Sequence, residues 1–296
     1  MIAELRALLD LTIKEGTFDK FVANQIDKPL GLSFEEDILP NFSGRVTYFR
    51  GNVDSSKFNY ASNVMGFGLT DADKTIETIE KAVESLNGES KEPPIEKREE
   101  DGFTYWTRSD AAVEAGRQRR RKRRERRNAK KDAEQKEAEE SQREIRDSST
   151  RQPRGVLGVI GESLVFCDSP AAFEVAVATY QGETEPLQND QEFVEMADLM
   201  TRLLDTEMPC GLFFTNPKHQ LAPLLDLANS DSTRDYLSNL SEDNAFMKTV
   251  KGVLDEEELP SMKTLEKYMS PQAGFVTSDD TGYHLLWFQK RIETAE

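Results

Sequence analysis

The chain has 296 residues and a net charge of −17, with 37% hydrophobic and 31% charged residues. This length suffices for one large domain or two ordinary ones, and the charged fraction exceeds the ~25% of typical globular proteins. No stretch approaches the ~18–20 apolar residues that span a bilayer, which excludes a transmembrane helix. The tract from Arg117 to Lys131 carries +10 and leaves −27 on the remaining residues, a charge that repels nucleic acid.

Residues 1–16 predict an amphipathic helix, because their aliphatic side chains recur at close to helical spacing. These side chains are Ile2, Leu5, Leu9 and Ile13. Glu4 and Asp10 interrupt the segment, so it lacks the apolar core of a secretory signal. At face value the sequence predicts a cytoplasmic protein. An exported or envelope protein is the alternative if the N-terminus is truncated.

Three segments follow the order short apolar strand, capping residue, amphipathic helix. The strands are predicted at 64–69, 164–167 and 212–215. The first helix has Thr70 and Asp73 as a capping box, and the others start at Ser169-Pro170 and Asn216-Pro217. The predicted apolar faces are Ile76, Ile79, Val83 and Leu86, then Phe173, Val177 and Tyr180, then Leu221, Leu224, Leu225 and Ala228.

The other elements fit around these units. Strands are predicted at 45–49 and 103–107 from β-branched and aromatic residues. A hairpin is predicted with strands 273–277 and 283–289, and the last strand, apolar on both faces, is expected inside a sheet. Two more helices are marked by Phe193, Met196, Met200 and Leu203, and by Phe246, Val250 and Leu254. The sequence therefore predicts an α+β fold, with repeated strand–cap–helix units on a largely antiparallel sheet.

The stretch 116–154 has almost no aliphatic side chains, which excludes a coiled coil. It predicts an insert that is either a solvated charged helix or disordered. The predicted organisation is an N-terminal α+β region 1–115, the insert 116–154 and a C-terminal α+β region 155–296. If the insert lies outside the fold, deleting Gly116–Arg154 leaves the melting temperature nearly unchanged.

The residues that usually carry catalysis are sparse. The only histidines, His219 and His284, are predicted to be structural, and Cys167 and Cys210 are predicted to be buried beside strands. A disulfide between the cysteines is the alternative in an oxidising compartment. No catalytic, metal or cofactor motif is present, which favours a non-enzymatic protein without a cofactor. A hydrolase with an unrecognised carboxylate site is a further alternative.

One feature of the sequence has a clear binding chemistry, because a dense cationic tract releases counterions from phosphates. The candidate polyanion-binding residues are Arg117, Arg119, Arg120, Arg121, Lys122, Arg123, Arg124, Arg126, Arg127, Lys130 and Lys131. No aromatic residue lies among them to stack on a base. The tract therefore leaves several partners open: its own acidic body, another protein, an anionic membrane surface or nucleic acid.

Three segments share their order of elements with one protein family: Phe34–Val46, Gly158–Glu174 and Leu259–Tyr268. The first runs from an acidic helix through Leu-Pro and Gly44 into a strand, and the second pairs two strands before a helix that starts with Ser-Pro. These segments resemble an uncharacterised bacterial family, a domain of unknown function in exported or envelope-associated proteins. The resemblance implies repeated α+β units, no assigned enzymatic activity and an export signal. Ser43 stands where the family has a second glycine, and the arginine-rich insert lies outside the family pattern.

The functional prediction is a non-enzymatic structural or interaction module, in the bacterial envelope if the family resemblance holds. Nucleic-acid binding through the tract 117–131 is the alternative from another class. The two differ in their salt dependence, because binding through phosphates weakens steeply as salt rises.

Overall fold

The computed structural model describes residues 6, 11, 14–52, 61–88, 90, 93–128, 154–205, 208–230, 233, 252 and 260–291. The chain forms two compact units. The first comprises 1–51, 62–131 and 152–180, and the second comprises 52–61, 132–151 and 181–296. The predicted N-terminal helix 2–13 and the predicted helix around 246–254 lie outside the described residues, apart from Arg6, Leu11 and Gly252.

The first unit is built on a six-stranded sheet with the order β1-β2-β6-β5-β4-β3. Its strands are β1 (Phe42–Asn52), β2 (Ala61–Leu69), β3 (Ile95–Glu100), β4 (Phe103–Arg108), β5 (Val156–Ile160) and β6 (Ser163–Cys167). The pairs from β2 to β3 along this order are all antiparallel. Together with the helices below, this confirms the predicted α+β fold.

Strand β3 was not predicted from the sequence, because Ile-Glu-Lys-Arg-Glu-Glu lacks the apolar alternation of a half-buried strand. It lies at one end of the sheet order, where charged side chains discourage pairing with a further strand. Its neighbour β4 carries the apolar residues Tyr105 and Trp106, both buried. The edge position of β3 thus explains its charged side chains, and the position of β4 inside the sheet explains its buried aromatic residues.

The helical elements of the first unit surround this sheet. Before β1 come α1 (Thr17–Val22), a π-helical turn (Ala23–Asp27), a helical turn (Lys28–Leu30), a second π-helical turn (Phe34–Ile38) and a 3-10 turn (Leu39–Asn41). The longer helices are α2 (Ala72–Asn87), α3 (Asp110–Asn128) and α4 (Pro170–Gln181). Helix α3 contains the first part of the sequence-predicted insert.

The N-cap of α2 differs from the prediction by one residue. Asp71, not Thr70, accepts the hydrogen bond from the backbone N–H of Lys74, at 2.9 Å. Thr70 instead donates its hydroxyl to the Pro40 carbonyl at 2.9 Å, because β2 is fixed there beside the turn that precedes β1. The predicted cap of α4 is confirmed, since the Ser169 hydroxyl accepts from the backbone N–H of Ala172 at 3.2 Å.

The two faces of the sheet are covered by different helices. On one face, Ile79 of α2 is in a buried cluster with Trp106, Val159 and Leu164. On the opposite face, the Phe173 ring of α4 packs against Tyr105, with ring centroids 5.0 Å apart. Because neighbouring residues of a strand point to opposite faces, adjacent positions such as 105 and 106 serve the two helices separately.

Arg154 connects the strands on either side of the insert. Its guanidinium pairs with Asp110 at 2.8 Å and with Glu96 at 2.8 Å, and it also donates to the Arg108 carbonyl at 2.9 Å. The strands after the insert, β5 and β6, complete the sheet of the first unit, whereas the predicted organisation places them in a separate C-terminal region 155–296. A deletion that ends before Arg154 is therefore the one expected to preserve the melting temperature.

The second unit contains a three-stranded antiparallel sheet with the order β7-β8-β9. Its elements are α5 (Gln191–Leu204), β7 (Gly211–Thr215), α6 (Pro217–Asn229), α7 (Met262–Glu266), β8 (Gln272–Asp279) and β9 (Gly282–Gln289). Met196 and Met200 of α5 form a buried cluster with Ala273 and Phe275 of β8. The predicted cap Asn216 is confirmed, since its side chain accepts from the N–H of Lys218.

The prediction that the last strand lies inside a sheet is wrong. Strand β8 is the central strand, and β9 forms the edge of this sheet among the described residues. Tyr283, Leu285 and Trp287 of β9 are 76%, 66% and 60% exposed. Only one face of the sheet receives α5, so an apolar pattern on both faces of β9 leaves one of them in solvent. The hairpin partner and the turn are as predicted.

Candidate functional site

The first unit contains an apolar cavity among its described residues, here called the α2 cavity. It lies between α2, the sheet face that α2 covers and the turns that precede β1. Its lining residues are Leu30, Leu32, Ile38, Asn41, Phe42, Thr75, Thr78, Ile79, Ala82, Val83, Leu86, Ile95, Trp106, Thr107, Arg108, Gly155, Val156, Leu157, Leu164 and Phe166. Its volume is about 470 Å³, within the ~300–1,000 Å³ range of small-molecule sites.

The helical wall follows directly from the sequence of α2. Ile79, Val83 and Leu86 recur at helical spacing and face the sheet, as predicted. Between them stand the small side chains Thr78 and Ala82, which reach less far toward the sheet. Because large and small residues alternate on this face of α2, space remains between the helix and the sheet that no side chain of α2 fills.

The wall formed by the turns that precede β1 depends on Gly31. This residue ends the turn Lys28–Leu30 with φ 65°, a left-handed conformation that favours glycine. The reversal places Leu30 and Leu32 at the cavity. The Ser85 hydroxyl of α2 donates to the Pro29 carbonyl at 3.2 Å, which ties this turn to the helix.

The sheet wall consists of side chains from neighbouring strands. Trp106, Leu157 and Phe166 are register partners across β4, β5 and β6, so they share one face. Trp106 is buried, whereas Phe166 is 48% exposed. The register continues from Phe166 to Met65 of β2, which is also exposed. The apolar wall thus extends from the core to the surface and gives a ligand a route in.

Within the described part of the chain, the polar side chains of the lining are hydrogen-bonded inside the protein, with the exception of Arg108. Asn41 donates to the Asp37 carbonyl at 2.8 Å, and Thr107 donates to the Gly155 carbonyl at 3.0 Å. The hydroxyls of Thr75 and Thr78 donate to the carbonyls of Asp71 and Lys74, one helical turn earlier. Among the described lining residues only Arg108 is charged. Such walls hold water poorly and favour apolar molecules.

The sequence-predicted cationic tract is carried by a helix as far as the structure describes it. Helix α3 starts directly after β4, where the Ser109 hydroxyl accepts from the N–H of Ala112 at 3.2 Å. The described side chains of the tract, Arg117, Arg119, Lys122 and Arg123, are exposed. Lys130 and Lys131 lie outside the described residues, as do the side chains of Arg120, Arg121, Arg124, Arg126 and Arg127.

Among the described residues, neither histidine is part of a catalytic arrangement. His219 is exposed, in the first turn of α6 as predicted. His284 uses the same nitrogen, Nε2, to contact Thr281 at 3.0 Å and Asp279 at 3.1 Å. A triad needs the acid and the nucleophile on opposite ring nitrogens. The hydrogen bonds from Thr281 and His284 hold the pKa of Asp279 below its usual range, and this exposed cluster closes the β8–β9 turn.

The cysteines have different environments, and the prediction that both are buried is wrong for Cys210. Cys167 is buried in β6, and burial, with a smaller contribution from Asp168, raises its pKa to about 12. It is therefore a neutral thiol at physiological pH and a poor nucleophile. Cys210 is exposed, because it precedes β7 rather than lying in it, and its Sγ donates to the Val276 carbonyl at 3.3 Å. Both thiols are free.

The described residues contain no cluster of histidine, cysteine, aspartate or glutamate suited to a metal ion. Nor does a helix in the described ranges have the length and apolarity needed to cross a membrane. The α2 cavity was not predicted: the sequence reveals the apolar face of α2 but not the distance between that face and the sheet. Its one sequence signal is the pair of small residues Thr78 and Ala82 within an otherwise bulky stripe.

Comparisons of the chain with protein-family models, with curated proteins and with solved structures found no match.

Proposed function

We propose that this chain is a non-enzymatic binding protein whose first unit holds an apolar small molecule in the α2 cavity. The observation that carries this proposal is a cavity of about 470 Å³ whose polar side chains, apart from Arg108, are hydrogen-bonded within the protein. Burial of apolar ligand surface supplies the affinity, at ~25 cal/mol for each Å² removed from water.

The chemistry of the lining supports binding rather than catalysis. General acid–base or nucleophilic catalysis needs at least two complementary groups within reach of the substrate. The described lining offers aliphatic and aromatic side chains, with Arg108 as its single charged group.

Tryptophan fluorescence tests this proposal. The chain has two tryptophans, and Trp106 lines the cavity whereas Trp287 is exposed on β9. In a Trp287→Phe chain, the neutral apolar dye N-phenyl-1-naphthylamine is expected to bind and to accept excitation energy from Trp106. Ala82→Phe places a ring in the cavity and is expected to weaken this binding about tenfold or more, which corresponds to ~1.4 kcal/mol.

The matched control is Ala111→Phe, an exposed alanine of α3 that does not line the cavity. It adds the same apolar ring to the same unit and is expected to leave dye binding unchanged. Dye that binds without energy transfer from Trp106, or that binds equally to the Ala82→Phe chain, would show that the ligand site lies elsewhere and would refute the proposal.

Nucleic-acid binding is the second candidate, and one observation favours it. The first part of the tract lies in α3, and α3 begins directly after strand β4. The exposed side chains of Arg117, Arg119, Lys122 and Arg123 are therefore held on a helix that is attached to the sheet. Replacing these four residues with glutamine should weaken duplex binding and reduce the slope of log K against log salt by about four, roughly one for each phosphate that the helix no longer neutralises. An unchanged slope in fluorescence anisotropy titrations excludes this role, whereas Ala82→Phe should have no effect on it.

A further inference from the structure

The lining of the α2 cavity suits a particular head group as well as an apolar ligand, because Arg108 is its one charged residue. We propose, building on the function above, that the ligand is a single-chain amphiphile with one negative charge, a fatty acid whose carboxylate pairs with Arg108. Three features support this inference: the position of Arg108, the lack of a competing carboxylate and the size of the cavity.

Arg108 is on the cavity side of the sheet. It follows Trp106 by two positions in β4, and residues two apart in a strand point to the same face. Its register partner on β3 is Ile95, which also lines the cavity. A guanidinium nitrogen of Arg108 lies 3.7 Å from the point where a side chain of Gly116 would begin. The charge therefore sits at the rim, between the apolar walls and α3.

Three described carboxylates on elements next to Arg108 already have cationic partners. Asp110 and Glu96 both pair with Arg154 at 2.8 Å, and Glu80 of α2 pairs with Lys97. Within the described part of the chain, no carboxylate pairs with the guanidinium of Arg108. An anionic head group can thus bind Arg108 without breaking a native ion pair, and a guanidinium matches the two oxygens of a carboxylate.

The size of the cavity favours one chain. At ~30 Å³ for a group the size of a water molecule, about 470 Å³ holds roughly sixteen such groups, comparable to a single alkyl chain. Each methylene that leaves water contributes ~0.8 kcal/mol. One cation at the rim balances one negative charge, whereas a two-chain phospholipid needs about twice the apolar volume. The chemistry therefore matches a fatty acid better than a membrane lipid.

The test compares ligands of one chain length and different head groups. Dodecanoic acid, dodecanol and dodecyltrimethylammonium, each below its aggregation concentration, compete with N-phenyl-1-naphthylamine for the Trp287→Phe chain. The acid is expected to bind about tenfold more tightly than the alcohol, and the cation more weakly than either. In Arg108→Gln, the preference for the acid should disappear while the affinity for dodecanol is retained. Arg45→Gln, at an exposed arginine of β1 outside the lining, should keep the preference.

The outcomes separate this inference from the proposed function. If dodecanol binds and the acid has no advantage, or if Arg108→Gln retains the advantage, the assignment of Arg108 is refuted and the apolar site stands. If no chain displaces the dye, both proposals fail. If the protein binds vesicles of anionic phospholipid but not the free acid, the cationic helix α3 is the anion site, and the fatty-acid inference is again refuted.

Discussion

Replacing Gly158 with alanine is expected to lower the free energy of unfolding of the first unit by about 1–3 kcal/mol, the usual cost of an overpacked core. A Cβ atom at this position of β5 would lie 2.5 Å from Cζ of Phe173 and 3.0 Å from Cβ of Tyr105. Phe173 is 2% exposed, so its ring is surrounded by protein atoms and cannot turn into solvent without losing buried contacts. Denaturant titration followed by Trp106 fluorescence in the Trp287→Phe chain measures the change.

A second substitution distinguishes this clash from a general effect of alanine. Phe173→Leu removes the ring edge, so Gly158→Ala should cost less in that background than in the parent, a coupling that a double-mutant cycle measures. Gly155→Ala is the matched control, because a Cβ there lies 3.6 Å from the Phe166 ring, an ordinary contact. Equal effects of Gly155→Ala and Gly158→Ala would contradict the packing of α4 described above.

Gly274→Ala is expected to destabilise the second unit at least as strongly, by about 3 kcal/mol. A Cβ on this residue of β8 would overlap the backbone oxygen of Leu286 on β9 and the ring of Phe213 on β7. A backbone atom of a paired strand cannot rotate away as a side chain can, so β9 must shift. Hydrogen exchange measures this result: the amides of β8 and β9 should lose protection.

The expected response to a compensating substitution differs from that at Gly158. Phe213→Leu relieves the clash with the ring but leaves the Leu286 oxygen in place, so it should restore little stability to Gly274→Ala. Gly211→Ala provides the control in the same sheet, because its Cβ would meet Val276 at 3.7 Å. If Phe213→Leu restored most of the stability, the clash would be with the ring alone, and the close approach of β8 to β9 would be wrong.

These predictions also bear on the site. Gly158 lies on the face of the sheet that α4 covers, and the α2 cavity lies on the other face. A variant that loosens α4 should reduce dye binding only as far as it unfolds the first unit, whereas Ala82→Phe should reduce binding without loss of stability. Gly274→Ala belongs to the second unit and should leave the dye affinity of the Trp106 site unchanged.

Several elements were predicted because their signals are local. The apolar stripe of α2, the Ser169 and Asn216 caps and the hairpin at 273–289 each depend on residues close in sequence. Strand β3 was missed because an edge strand does not need apolar alternation. Cys210 was misplaced because an apolar neighbourhood in sequence does not fix burial in space.

Residue chemistry and periodicity alone thus determined the α+β class, the main helices and the density of charge between Arg117 and Lys131. Only the tertiary structure decided that β5 and β6 join strands on the other side of the insert, that β9 lies at an edge, and that α2 stands far enough from the sheet to leave a cavity. The reason is that local patterns specify which face of an element is apolar. Which partner meets that face, and how closely, depends on contacts between residues far apart in the chain.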